Sequence, residues 1–95
     1  MKASARWNAL AADLHRAGFL VEVGQVPIPG GSSYRVRVET QAGAVALRDA
    51  FRRDEWIGWR GWRETGDPDL AASLEPTKKR ADVIRFVTAC SAVKS

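Results

Sequence analysis

Trp7, Leu10, Leu14 and Ala17 recur at intervals of three and four, which places them on one face of a helix. Ser4 stands where an N-cap is expected, and Gly18 and Phe19 stand where a Schellman stop puts its C′ glycine and the following residue that packs back on Leu14. Residues 19–23 are apolar and β-branched, predicting a strand with Phe19, Val21 and Val23 toward the core. Prolines and glycines then break the pattern over residues 24–33, Pro29-Gly30 included, and predict a long hairpin loop. Residues 34–40 alternate strictly, with Tyr34, Val36, Val38 and Thr40 on one face and Arg35, Arg37 and Glu39 on the other. Gln41-Ala42-Gly43 reads as a turn and residues 44–48 as a returning strand, although Leu47, Ala50 and Phe51 also suit a helix. A two-residue loop at Ala42-Gly43 would pair Val38 with Leu47 and Arg37 with Arg48, a like-charge opposition that an anionic partner or Glu39 would relieve.

Beyond residue 52 the period is lost. Trp56, Trp59 and Trp62 recur every third residue, which fits neither a strand nor a helix cleanly, and Gly58 and Gly61 weigh against a helix by ~1 kcal/mol each. The segment reads as a short irregular strand or a turn of helix. Residues 66–69 form a turn, residues 70–74 a single helical turn, and Thr77 caps a last helix whose apolar face is Val83, Ile84, Val87 and Cys90, widened by Phe86 and Val93. The expected fold is α+β: a small single domain over residues 1–95, with a three-stranded antiparallel sheet, four-stranded if the tryptophan segment adds a strand. An N-terminal and a C-terminal helix pack on one face of that sheet.

Composition narrows the class. Ninety-five residues support one core, and 45% hydrophobic with 27% charged residues is globular. Neither a membrane-spanning run nor a signal-peptide pattern is visible, so no membrane is expected and a cytoplasmic location is. One cysteine, Cys90, and one histidine, His15, provide neither a disulfide nor a zinc set. Arginine outnumbers lysine 11 to 4 and alanine reaches 15, a balance expected of a GC-rich bacterial or phage gene. The net charge is +4, and residues 76–95 hold all of that excess.

Two clusters carry candidate chemistry. Arg52, Arg53, Trp56, Trp59, Arg60, Trp62 and Arg63 interleave the residue types most enriched in binding hot spots, which also suit stacking on bases. Core packing and cation–π pairing are the plainer uses of those rings. Lys78, Lys79 and Arg80 open the last helix, where the macrodipole disfavours cations and a phosphate would compensate; a solvated turn neutralised by Asp82 or Glu75 is the plainer account. No nucleophile elbow, P-loop or paired-histidine pattern occurs, and Asp54 with Glu55, and Asp67 with Asp69, look like turn residues. No catalytic residue, metal or cofactor is therefore expected.

The run Thr77-Lys78-Lys79-Arg80-Ala81 resembles in part the double-stranded-RNA-binding domain, whose last helix opens on a Lys-Lys-x-Ala-Lys run in an α-β-β-β-α order. That resemblance implies phosphate contacts at Lys78, Lys79 and Arg80 and an RNA-reaching loop at Pro29-Gly30. Asp82 stands where the family has its third lysine, and residues 49–76 intervene where the family needs only a few. The first expectation is thus a non-enzymatic regulator or inhibitor that docks on an anionic macromolecule through its Arg/Trp segment. The alternative is a nucleic-acid binder using Arg35, Arg37, Arg48, Lys78, Lys79 and Arg80; a homo-oligomer joined through the tryptophans is also open.

Overall fold

A computed structural model describes residues 3–28 and 31–92 of the chain. Helix α1 (Ala3–Arg16) is followed by strands β1 (Leu20–Ile28), β2 (Gly31–Thr40), β3 (Gly43–Arg52) and β4 (Glu55–Arg63). A 3-10 turn at Pro68–Leu70, strand β5 (Ser73–Thr77) and helix α2 (Arg80–Ala92) complete the chain. The result is a small α+β domain whose five antiparallel strands lie in sequence order, β1-β2-β3-β4-β5. Trp7, Leu10 and Leu14 of α1 and Val83, Val87 and Cys90 of α2 share one core with Val36, Val38, Val45, Leu47 and Trp59 of the sheet. Both helices therefore cover the same face, and the other face is open.

The stop of α1 follows the sequence pattern. Gly18 has φ +96°, its N–H donates to His15 O at 2.9 Å, and Phe19 N–H donates to Leu14 O at 3.1 Å, the two bonds of a Schellman motif. At the other end α1 already includes Ala3, so Ser4 lies inside the first turn and is not its cap.

Several expectations are corrected. The sheet has five strands, because the tryptophan segment is a full strand and a further strand over residues 73–77 takes in the end of the helical turn expected over residues 70–74. The region read as a loop over residues 24–33 is mostly ladder, pairing Gln25 with Tyr34 and Ile28 with Gly31. Pro27 is tolerated there because β1 is an edge strand, and Pro29-Gly30 lies outside the described residues. Val23 occupies the core-facing phase but is 50% exposed, since the helices do not reach that end of the edge strand. The β2–β3 register is displaced by two residues from the expected pairing: Val38 faces Val45, and Arg48 faces Arg35 instead of Arg37. Gly43, at φ +114°, closes the turn as its fourth residue instead of sitting inside it, and Thr40 Oγ1 accepts from Ala42 N–H.

Thr77 ends β5 instead of capping α2. Its hydroxyl accepts from Lys79 N–H and donates to Asp82 Oδ2, while Lys79 O accepts the first helical N–H groups. Lys78 and Lys79 thus precede α2, which lowers the dipole penalty expected of them. Val83, Val87 and Cys90 are buried on the helix, as its spacing requires; Val93 lies outside the described residues.

Candidate functional site

The β3–β4 hairpin distributes the Arg/Trp segment over three environments. Arg52 and Arg53 are exposed at its tip, where Arg53 and Asp54 both have positive φ (50° and 65°), the backbone of a two-residue hairpin turn. A β-bulge between Ala50 and Phe51 leaves Ile57 without a partner, and this resets the alternation so that Trp56 and Trp59 face the helices together. The pairing with β3 runs without a shift from Trp59 to Trp62, the irregularity between Trp59 and Gly61 lying on the β5 side, so Trp62 and Arg60 face the open side.

Trp59 and Arg63 are buried, Arg63 in the interior and Trp59 in the core beside a cavity on the helix side. Trp59 packs edge-on against Trp7 and Trp56, with centroids 6.2 and 5.1 Å away. Arg63, only 7% exposed, donates to Cys90 O at 2.6 Å and Leu70 O at 2.9 Å, so it ties the last turns of α2 to the 3-10 segment. A guanidinium on a helix's terminal carbonyls suits the macrodipole. Asp49, which the sequence reading missed, accepts from the indole N–H of both Trp7 and Trp56 at 2.9 Å. The signal was available: Asp49 follows Val45 and Leu47 in the inward phase of β3, where an acidic residue needs donors.

Burial pushes the Cys90 thiol pKa up, an effect that the charge and hydrogen bond of Arg63 partly offset. The thiol is therefore expected to react with a thiol-specific reagent only as fast as the domain opens. Because the folded pKa is raised, the unfolded thiol ionises first as pH rises above about 8.5, so the stability linked to this group is complete below that pH and declines above it. Urea unfolding at several pH values should show this decline in the native protein and a flatter profile for Cys90→Ala.

The open face has a different character. Arg35 pairs with Arg48, and Arg48 with Arg60, so three arginines stand side by side across β2, β3 and β4. Neighbouring strands lie about 4.8 Å apart, which sets the row's width at about 10 Å. Among the described residues no carboxylate pairs with any of the three, whereas Arg37, one row over, is bridged to Glu39 at 3.5 Å and Glu64 at 3.1 Å. Arg48 Nε is buried without a hydrogen-bond partner. Trp62 stands beside the row, partly buried, with the Arg48 and Arg60 guanidinium carbons 6.0 and 5.5 Å from its ring centroid. Gly24 and Ala46 leave the face shallowly concave between these long side chains, forming a hollow of about 420 Å³.

Lys78, Lys79 and Arg80 lie on the helix side instead, around a cavity between α1 and the start of α2, and Arg80 Nε is held by Asp13 Oδ2 at 2.8 Å. The six cations grouped on paper as a nucleic-acid surface are thus divided between the two faces of the sheet. The α-β-β-β-α order is not present either, since β4 and β5 occupy the residues between the third strand and α2. Asp67 Oδ1 accepts from Asp69 N–H at the 3-10 turn, a capping use of that pair. No helix is long and apolar enough to cross a membrane among the described residues. Searches of family models, curated proteins and solved structures find no match to this chain.

Proposed function

We propose that this protein is a non-enzymatic binding module whose open sheet face takes single-stranded nucleic acid. The observation that carries the reading is the Arg35-Arg48-Arg60 row, which no carboxylate pairs among the described residues, with Trp62 beside it. Like charges directly opposed on a sheet cost up to ~1 kcal/mol per pair, and an anion lying along the row turns that repulsion into attraction. Arg48 Nε adds a donor in need of an acceptor. Trp62 offers a ring on which a base can stack, and base–aromatic stacking contributes ~1–3 kcal/mol. A single strand suits this face better than a duplex or a folded acidic protein. Among the described residues this face is built of strands, with both helices on the other side, and unstacked bases and a flexible backbone conform to a shallow sheet.

The test is an anisotropy titration of labelled single-stranded and duplex oligonucleotides over a range of salt. Single strands should bind more tightly, with log K falling against log salt at a slope of about −2 to −3 for three or four phosphate contacts. Arg48→Ala should flatten that slope by about 0.7, and Trp62→Ala should weaken binding at least ~5-fold at all salts. Lys78→Ala with Lys79→Ala, on the far side, should change affinity by less than about twofold because solvent screens the distance. Preference for duplex, or a larger loss from the lysine pair than from Arg48, overturns the reading and favours the helix side.

A further inference from the structure

The cavity on the helix side, of about 730 Å³, lies between α1, the start of β4 and the start of α2. Its apolar wall is made by Trp56, Trp59, Ile84 and Ala9, and its rim by Arg6, Lys78, Lys79 and Arg80. That volume falls in the range of small-molecule sites.

Two of the residues that line it carry a buried side-chain N–H without a hydrogen-bond partner: Nε1 of Trp59 and Nε of Arg6. Trp59 is 3% exposed, and the two indoles around it, Trp7 and Trp56, are both satisfied by Asp49, so its bare N–H is the exception in that cluster. A buried N–H without an acceptor is costly, and on a residue that lines a cavity it is a specificity point for a ligand oxygen that reaches it. The Arg6 guanidinium lies 3.9 Å over the Trp56 ring, which fixes its fork at the cavity edge. Lys78 and Lys79 form no ion pair among the described residues, and the first N–H groups of α2 lie on the same side. The one carboxylate in the lining, Asp13, is paired by Arg16 and Arg80, which leaves the cations Arg6, Lys78 and Lys79 and the apolar wall to define the complementary ligand.

We infer that this cavity binds a small molecule with a flat apolar body and one anionic head, with a ligand oxygen accepting from Trp59 Nε1 and the head held by Arg6, Lys78 and Lys79. This site is independent of the open sheet face, which lies across the sheet from it.

The test is a titration of the ¹⁵N-labelled protein with 1-naphthoate, followed at the indole Nε1–H resonances, with the Trp59 signal identified by its loss in Trp59→Phe. Saturable binding that moves the Trp59 signal and leaves that of Trp7 in place is expected. Lys78→Ala with Lys79→Ala should weaken it about tenfold, and the neutral analogue 1-naphthalenemethanol should bind at least about tenfold more weakly than the anion. Both lysines are exposed, so this variant keeps the fold, and thermal unfolding verifies that. The inference is overturned by absence of saturation up to about 1 mM, by binding that leaves the Trp59 signal unmoved, or by equal affinity for anion and alcohol.

Discussion

Gly58→Ala is expected to cost more than about 3 kcal/mol and to leave the domain largely unfolded at moderate urea. Two independent causes act at this position. Its φ of +133° lies where side chains carrying a Cβ are strained, and an added Cβ would stand 2.4 Å from the backbone carbon and oxygen of Thr77. That neighbour is main chain, at the end of β5 and three residues before α2, so it cannot yield by changing rotamer. Relief requires β5 to separate from β4, which would draw the start of α2, with Val83 and Val87, away from the core. Gly66→Ala is the matching control. Nothing lies within 4 Å of its added Cβ, and its effect should be within about 1 kcal/mol of neutral. Urea unfolding followed by tryptophan fluorescence separates the two. A Gly58→Ala midpoint close to that of the native protein would mean that β5 is not fixed against β4.

The same glycine explains where the sequence was legible and where it was not. Elements that follow one period were readable. Trp7, Leu10 and Leu14 define α1 and Gly18 ends it, while Val36 and Val38 alternate with Arg35 and Arg37 in β2. Strand β4 was unreadable because three causes overlap in it. The bulge at Ile57 shifts the parity, so tryptophans at odd spacing share a face on one side of Trp59 and part on the other. Gly58 and Gly61, which count against a helix, serve here to let the backbone of β5 and the side chain of Leu47 approach closely. Arg63 sits in an inward position because two backbone carbonyls, Leu70 O of the 3-10 segment and Cys90 O of α2, converge there, a fact of tertiary packing that no local pattern records. The candidate surface was legible only in pieces. Arginine opposition across β2 and β3 was expected, but the two-residue register difference replaces Arg37 with Arg35, and only the β3–β4 pairing adds Arg60 and brings Trp62 alongside. A row built from three strands is a property of register, and register follows from turns that differ by one residue in where their glycine stands.

Asp49→Ala should destabilise the domain by roughly 2–4 kcal/mol, more than an average buried truncation of so small a side chain. The carboxylate accepts from two indoles at once, Trp7 on α1, 42 residues before it in the chain, and Trp56 on β4, 7 residues after it. Trp7 is 1% exposed, so its N–H has no route to water once the acceptor is gone, and each stranded buried donor costs about 1–3 kcal/mol. The loss also reaches the candidate sites. Trp56 forms part of the helix-side cavity wall and carries the Arg6 guanidinium over its ring, so freeing its indole loosens that edge. Asp49→Asn keeps one carbonyl acceptor but turns an NH₂ toward the second indole, and an intermediate loss is expected. A double-mutant cycle isolates the bond. In a Trp7→Phe background, which removes one donor while keeping an aromatic ring, Asp49→Ala should cost at least about 1 kcal/mol less than in the native chain. Equal losses in both backgrounds would mean that the carboxylate acts through something other than the Trp7 indole. Indole Nε1–H shifts of Trp7 and Trp56 provide a second readout, since both should move when Asp49 is removed while that of Trp59, which has no acceptor to lose, stays nearly fixed.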